Sequence, residues 1–153
     1  MPAIDPKEVP SHSGSRYPEP FASEVKGRHR KRLGDAAGLK NFGVNLVTLD
    51  PGFKSSMRHF HKVQDEFVYV LEGELVLVTN AGRRVLKAGM AAGFPANDGD
   101  GHHLINETAQ PAVYLEVGDR LPGDGATYPD IDMAARANPD GTWSFTHKDG
   151  RPY

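Results

Sequence analysis

The feature that most constrains the fold is a series of short segments, rich in apolar and aromatic residues, that are separated by turns containing glycine or proline. Examples are EFVYVL (66–71), ELVLVT (74–79) and AVYLEV (112–117). Short runs of this composition bounded by turn residues are typical of β-strands, whereas an amphipathic helix needs a longer segment with a 3.6-residue period. No convincing helical segment interrupts the series. The sequence therefore predicts an all-β fold, either a closed barrel or a double-sheet jelly roll.

Three further segments carry individual predictions. The Glu72-Gly73 pair is expected to join the first two of these strands in a hairpin. IDMAARA (131–137) is predicted to form one or two helical turns. In TWSFTH, the alternating Trp143 and Phe145 predict a short strand that packs an aromatic pair on the barrel.

The chain of 153 residues is expected to form one domain. Within it we expect an N-terminal arm over residues 1–30, a β-barrel over 31–120 and a partly irregular C-terminal tail over 121–153 that packs on the barrel. The arm begins with a proline-rich stretch. Because proline cannot donate to a strand ladder, we expect this stretch to lie over the barrel or to reach a neighbouring molecule.

The composition excludes several classes of function. Lys and Arg number 18 against 20 Asp and Glu, so the chain lacks the basic excess of a nucleic-acid-binding protein. The one basic cluster, Lys26–Arg32, is predicted to be a solvated strand edge. With no cysteine, the chain has no disulfide framework, thiolate zinc site or cysteine nucleophile. No apolar run is long enough for a membrane span and the N-terminus does not read as a signal peptide, so we expect a soluble cytoplasmic protein.

A candidate metal site lies in the stretch GFKSSMRHFHKVQDEFVYVLEG (52–73). His59 and His61 are two residues apart, so on a strand both imidazoles point to the same face. A polar loop follows, and Glu66 then opens the next strand, which brings a carboxylate back beside the imidazoles. Two imidazoles and a carboxylate are ligands for a first-row transition metal. The alternative is that Glu66 pairs with Arg58 or Lys62 at the surface.

His102, from a glycine- and proline-rich stretch, is the fourth candidate ligand. His103 points to the opposite face of the same strand, so a register slip of one residue would exchange the two. Met57, Val68 and Val70 are expected to share the ligand face and to form an apolar pocket wall. Asp98 and Asp100 fit ordinary turn residues better than a cavity mouth.

The chain resembles the cupin superfamily of small β-barrel metalloproteins. Its first motif, G-x5-H-x-H-x3–4-E-x6-G, is matched by residues of the stretch above, although six residues rather than five separate Gly52 from His59. The second cupin motif, G-x5-P-x-G-x2-H-x3-N, is also matched, with two differences. The loop before His102 is two residues longer than in the motif, and Asn97 stands where the motif has its second glycine. The matching residues are Gly52, His59, His61, Glu66 and Gly73, then Gly89, Pro95, His102 and Asn106.

The resemblance implies a double-stranded β-helix, or jelly-roll barrel, with one divalent metal held inside by His59, His61, Glu66 and His102. The metal would be Fe, Mn, Ni, Co or Zn, since imidazole and carboxylate ligands suit them all. It also implies a metal-dependent enzyme that activates a carbonyl- or carboxylate-bearing small molecule, as an isomerase or lyase on a substrate that could be sugar-like. An Fe(II) dioxygenase and a non-catalytic ligand-binding module are the alternatives. The family and the proline-rich arm together favour a homodimer.

Overall fold

The computed structural model describes residues 3–153, which form thirteen β-strands and three short helical turns. The helical turns are a 3-10 turn at Pro6–Glu8, α1 at Phe21–Glu24 and α2 at Leu33–Ala36. The strands are β1 (Ser11–Ser13), β2 (Arg28–Arg32), β3 (Phe42–Leu49), β4 (Phe60–His61), β5 (Glu66–Glu72), β6 (Glu74–Thr79), β7 (Gly82–Lys87), β8 (Ala91–Phe94), β9 (His103–Ile105), β10 (Ala112–Asp119), β11 (Gly125–Thr127), β12 (Ala134–Ala137) and β13 (Trp143–Thr146). The first two residues of the predicted N-terminal arm lie outside the described residues.

The strands form two layers that pack face to face. One layer is a six-stranded antiparallel sheet in the order β1-β2-β3-β10-β5-β8. The other consists of the sheets β13-β12-β11-β4 and β7-β6-β9, which isolated bridges connect at His59–His102 and Lys54–Ile105. This arrangement is a jelly-roll sandwich, so the predicted all-β jelly-roll class is confirmed. Within residues 3–153, no helix has the length and apolar character needed to cross a membrane.

The apolar core lies between the layers at one end of the sandwich. Alternate residues of β3, β5 and β10 meet the inward residues of β6, β7 and β9, as the period of two in a strand requires. Leu49, Val70 and Leu75 are fully buried in this cluster. A second cluster forms at β11, β12 and β13, where Trp143 and Phe145 pack against it as predicted. The inner space between the two clusters is open, and this is where the candidate site lies.

The chain crosses between the layers at Gly73, so the hairpin predicted there is wrong. β5 belongs to the six-stranded sheet, whereas β6 pairs with β7 and β9 in the opposite layer. Gly73 has a φ of +76°, and a Cβ atom there would lie 3.2 Å from Ala112. Glycine therefore serves here for a close approach to β10 in a left-handed backbone conformation, rather than for a two-residue hairpin turn.

Two other local predictions are wrong. The segment 131–137 is not helical: its last four residues form β12, which pairs with both β11 and β13. Tertiary pairing on both sides has overridden the helix propensity of its alanines. The basic cluster is not a solvated edge either, because β1 covers β2 and β2 also pairs with β3. Arg28 is consequently buried and Arg30 half-buried, both on the inner face of the sheet.

Candidate metal centre

Three of the predicted ligands converge between the two layers. The Nε2 atoms of His59 and His61 are 3.2 Å apart. Glu66 Oε2 lies 3.6 Å from His59 Nε2, and Glu66 Oε1 lies 3.5 Å from His61 Nε2. Among residues 3–153, these three side chains form the one group of His, Cys, Asp or Glu whose donor atoms could hold a metal ion. The alternative surface pairing of Glu66 with Arg58 or Lys62 is not formed, since its ion-pair partners among residues 3–153 are His59, His61 and His102. Arg58 instead binds Asp130.

The distances within this group fit a bound transition metal. Two ligand atoms about 2.1 Å from a common ion are about 3.4 Å apart at a tetrahedral angle and about 3.0 Å apart at a right angle. The observed separations of 3.2–3.6 Å fall in or near this range. The donor set of two imidazoles and one carboxylate is also one that first-row metals use with positions left open. His59, His61 and Glu66 could therefore hold a metal with only small side-chain movements.

His102 lies beside this group, with its ring centre 5.0 Å from that of His59. Its Nε2 lies 2.8 Å from Glu66 Oε2, and its ring stacks on Phe94 with the ring centres 3.5 Å apart. His103 faces the other way, where its Nδ1–H donates to the carbonyl oxygen of Ser56 at 3.0 Å. Burial lowers the pKa of His103 to about 4, so it is neutral at pH 7. Of the two neighbours, His102 is the one placed to complete a metal site with Glu66.

Hydrogen bonds hold the two central imidazoles in the orientation that ligation needs. The Nδ1–H of His59 donates to the carbonyl oxygen of Met57 at 2.9 Å. The Nδ1–H of His61 donates to the carboxylate of Asp124 at 2.5 Å. A ligating histidine commonly donates its other ring nitrogen in this way, which fixes the tautomer and the ring direction. In both residues the nitrogen left for a metal is therefore Nε2, the one that faces the centre of the group.

The candidate site also includes Asp124, which the sequence pattern does not indicate. It is fully buried, and β11 pairs with β4 so that Asp124 comes to lie beside His61. Its second oxygen accepts the backbone N–H of Val63 at 2.9 Å and that of Gln64 at 3.4 Å. In the sequence, Asp124 stands between two glycines in a stretch of turn-forming residues. Nothing in that context distinguishes it from an ordinary turn aspartate.

The electrostatics of the group favour ionised Glu66. Burial by itself raises the pKa of Glu66, but the adjacent imidazoles of His102, His59 and His61 hold it well below its usual range. Burial lowers the pKa of His61, while the carboxylates of Glu66 and Asp124 outweigh it and raise the pKa to about 9. A metal entering the group would displace the proton that His61 otherwise holds, since only a free Nε2 lone pair can ligate.

The group opens onto a cavity of about 660 Å³ between the layers. Tyr17 and Tyr128 line it, the Tyr128 O–H donates to the Tyr17 hydroxyl oxygen at 3.4 Å, and burial raises the pKa of both, so both are neutral at pH 7. Val68 lines the cavity as predicted. Met57 and Val70 do not, because they pack into the two core clusters.

Asp98 and Asp100 act as turn residues. The carboxylate of Asp98 accepts the backbone N–H of Asp100, and that of Asp100 accepts the backbone N–H of Asn80. Neither lines the cavity.

Comparisons with known proteins agree with this description. Residues 45–118 match the Cupin domain family. A cupin-superfamily sugar phosphate isomerase from Silicibacter pomeroyi shares 47% identity and a TM-score of 0.95 over 99% of this chain and 96% of its own. A protein provisionally named a sugar phosphate isomerase, from Acidithiobacillus ferrooxidans, shares 30% identity and a TM-score of 0.75 over 86% of this chain and 82% of its own.

More distant structures share the fold alone. The polyketide cyclase RemF from Streptomyces resistomycificus is 22% identical, with a TM-score of 0.65 over 78% of this chain and 79% of its own. Among curated protein sequences, none matches the chain.

Proposed function

Because the chain belongs to the cupin superfamily and brings His59, His61 and Glu66 together beside a cavity, we propose that it is a metal-dependent isomerase or lyase of a small carbonyl compound. The observation that carries the proposal is the convergence of these three side chains with their Nε2 and carboxylate atoms 3.2–3.6 Å apart. His102 is the proposed fourth ligand. The names of the two most similar structures above support a sugar-like substrate.

The metal would supply Lewis-acid polarisation of a carbonyl or carboxylate oxygen. The protein's own contribution is orientation. Asp124 and the carbonyl of Met57 fix the imidazoles of His61 and His59, and Glu66 remains ionised among its histidine neighbours. A site whose supporting hydrogen bonds are already made needs little reorganisation when the substrate binds.

Aromatic side chains pack against the candidate ligands. Phe94 stacks on His102, and Trp143 contacts His61 edge-on with ring centres 5.9 Å apart. The ring of Tyr128 packs against that of His59 with ring centres 5.7 Å apart, and its hydroxyl lies next to that of Tyr17. Both hydroxyls are neutral and can form hydrogen bonds with a substrate oxygen. We propose that these two hydroxyls orient the substrate by hydrogen bonds.

Isomerisation of a carbonyl compound can be followed by deuterium uptake. The metal-loaded protein is incubated under nitrogen in D₂O with a panel of aldoses and ketoses, free and as phosphate esters, and proton NMR records exchange next to the carbonyl. We expect interconversion with deuterium incorporation for at least one compound, and loss of this activity in Glu66→Gln. His29→Gln is the matched control, because His29 binds Asp50 on the outer face of the sheet and should leave the rate unchanged.

Other outcomes of the same experiment would support one of the two alternative functions. Oxygen consumption by the Fe(II)-loaded protein, without turnover under nitrogen, would identify a dioxygenase. A stoichiometrically metal-loaded protein that binds compounds of the panel and converts none, with or without oxygen, would identify a binding module and contradict the proposed enzyme.

A further inference from the structure

Buried polar side-chain atoms that lack a hydrogen-bond partner are concentrated in the wall of one cavity. In the described part of the chain there are four such atoms: Arg28 Nε, Arg30 Nε, Tyr114 OH and His102 Nδ1. All four residues line the cavity that contains the candidate metal centre. Buried polar groups in proteins are almost always satisfied, so a cluster of exceptions at one place needs an explanation. His102 belongs to the metal centre, whereas the other three lie on β2 and β10.

Of these three residues, Arg30 has the charge with the fewest partners. Among residues 3–153, its guanidinium makes no hydrogen bond, and the one carboxylate within 4 Å is Glu116, at 3.8 Å. Its side chain is nevertheless only 28% exposed. Burial lowers the pKa of Arg30 from its usual value, since the guanidinium charge is incompletely compensated. Arg28 differs, because its two terminal nitrogens donate to the carbonyl oxygens of Ser55 and Gly14.

The sheet register places Arg30 on the same inner face of the six-stranded sheet as Glu66, and both residues line the same cavity. Arg30, Val47 and Tyr114 lie side by side on β2, β3 and β10. The Arg30 side chain extends across β3 toward Glu116 of β10, which pairs with Val68 of β5. Glu116 and Glu66 are therefore diagonal neighbours on adjacent strands, and the Cα atoms of such a pair are about 7–8 Å apart. A small molecule could touch both the metal centre and Arg30.

The charge of the cavity favours an anion at this end. Five arginines line the cavity (Arg16, Arg28, Arg30, Arg32 and Arg120), against three carboxylates outside the metal centre (Asp35, Glu116 and Asp119). Asp35 pairs with both Arg120 and Arg32, and Glu116 accepts a hydrogen bond from Asn45. Within residues 3–153, Arg16 and Arg28 form no ion pair with a carboxylate, and Arg30 has only the 3.8 Å contact with Glu116. A guanidinium in a partly dehydrated wall binds phosphate or carboxylate oxygens strongly, since its fork of donors matches their geometry.

We propose that Arg30, next to the unpartnered hydroxyl of Tyr114 and supported by the charge of Arg28, is the binding site for an anionic group of the substrate, a phosphate or a carboxylate. The role of this site in catalysis rests on the proposed function, because the substrate would then bind the metal through one end and Arg30 through the other. The substrate class is accordingly a small carbonyl compound that carries a phosphate or a carboxylate.

Binding of inorganic phosphate and of acetate to the metal-loaded protein tests this directly by calorimetry. We expect phosphate to bind the wild type and Arg30→Met to bind it about ten- to a hundredfold more weakly, the range for loss of hydrogen bonds to a charged group. Arg30→Lys should fall between them, since it keeps the charge and loses the fork. The tighter of phosphate and acetate identifies the group that the site takes. The matched control is Arg83→Met, which removes an exposed arginine of β7 that binds Glu107.

The metal content and a second titration separate this proposal from the proposed function. In chelator-treated protein, phosphate should still bind, with the same difference between wild type and Arg30→Met. If phosphate binds in this way but the purified protein holds no metal, the proposed function fails and the anion site stands. Equal phosphate affinities of folded wild type, Arg30→Met and Arg30→Lys would overturn the anion site, whatever the metal content.

Discussion

The substitution Asp124→Asn keeps the candidate ligand His61 but removes the hydrogen-bond partner that orients it. It therefore tests how much the orientation of His61 contributes to metal binding. Asparagine has nearly the same size and keeps one oxygen, which can still accept the backbone N–H of Val63. Its amide nitrogen replaces the oxygen that lies 2.5 Å from His61 Nδ1. Two donors cannot face each other at that distance, so His61 must move its proton to Nε2. That nitrogen is the one directed at His59 and Glu66.

The expected magnitude follows from this change of tautomer. An imidazole nitrogen that carries a proton cannot ligate, and loss of such an orienting partner typically weakens metal binding 10- to 100-fold, or about 1.4–2.7 kcal/mol. The free energy of unfolding of the metal-free protein should fall by only about 0.5–1.5 kcal/mol, because one hydrogen bond is altered and none of the buried backbone donors is abandoned.

Titration of metal against a chelator of known affinity measures the first quantity, and urea unfolding of chelated protein measures the second. Asp130→Asn is the control, since Asp130 is an exposed carboxylate bound to Arg58 and should change unfolding by less than about 1 kcal/mol and metal affinity not at all. An Asp124→Asn protein that binds metal as tightly as wild type would refute the orienting role of Asp124.

Three further predictions concern the core, the assembly and the metal. Leu75→Ala should lower the free energy of unfolding by about 2–5 kcal/mol in urea titrations, because Leu75 is fully buried. Light scattering should give a dimer for the wild type and a monomer for Tyr69→Glu, because Phe67, Tyr69 and Leu71 expose 39–44% of their surfaces on the outer sheet face. Chelation should lower the melting temperature by about 5–10 °C if the metal is present at a hundredfold excess over its dissociation constant.

The strands could be predicted because their boundaries are local features. The apolar run that starts at Glu66 and the run that starts at Glu74 are each bounded by turn residues, and both became strands with nearly the predicted limits. The local sequence pattern does not show which strands pair with each other. The pattern around Gly73 fits a hairpin turn, whereas the glycine carries the chain into the opposite layer. The pattern of β12 likewise fits a helical turn, because its extended form depends on pairing with β11 and β13.

The candidate site was predictable to the extent that its residues lie close together in sequence. The spacing of His59 and His61 and the return of the chain at Glu66 follow from strand geometry, and the structure brings those three side chains together. Asp124 lies 63 residues from His61, and only the pairing of β11 with β4 brings them together. Arg30 belongs to a basic cluster whose sequence fits a solvated strand edge. It faces the interior because β2 lies between β1 and β3, and local sequence does not show that pairing.

The most direct measurement of the central claim is the metal content of the protein as purified, without added metal, by mass spectrometry. The account predicts about one equivalent of a transition metal per chain in the wild type and in His29→Gln, and its loss in His61→Ala. Substoichiometric metal in the wild type, with a melting temperature that chelation does not change, would contradict it.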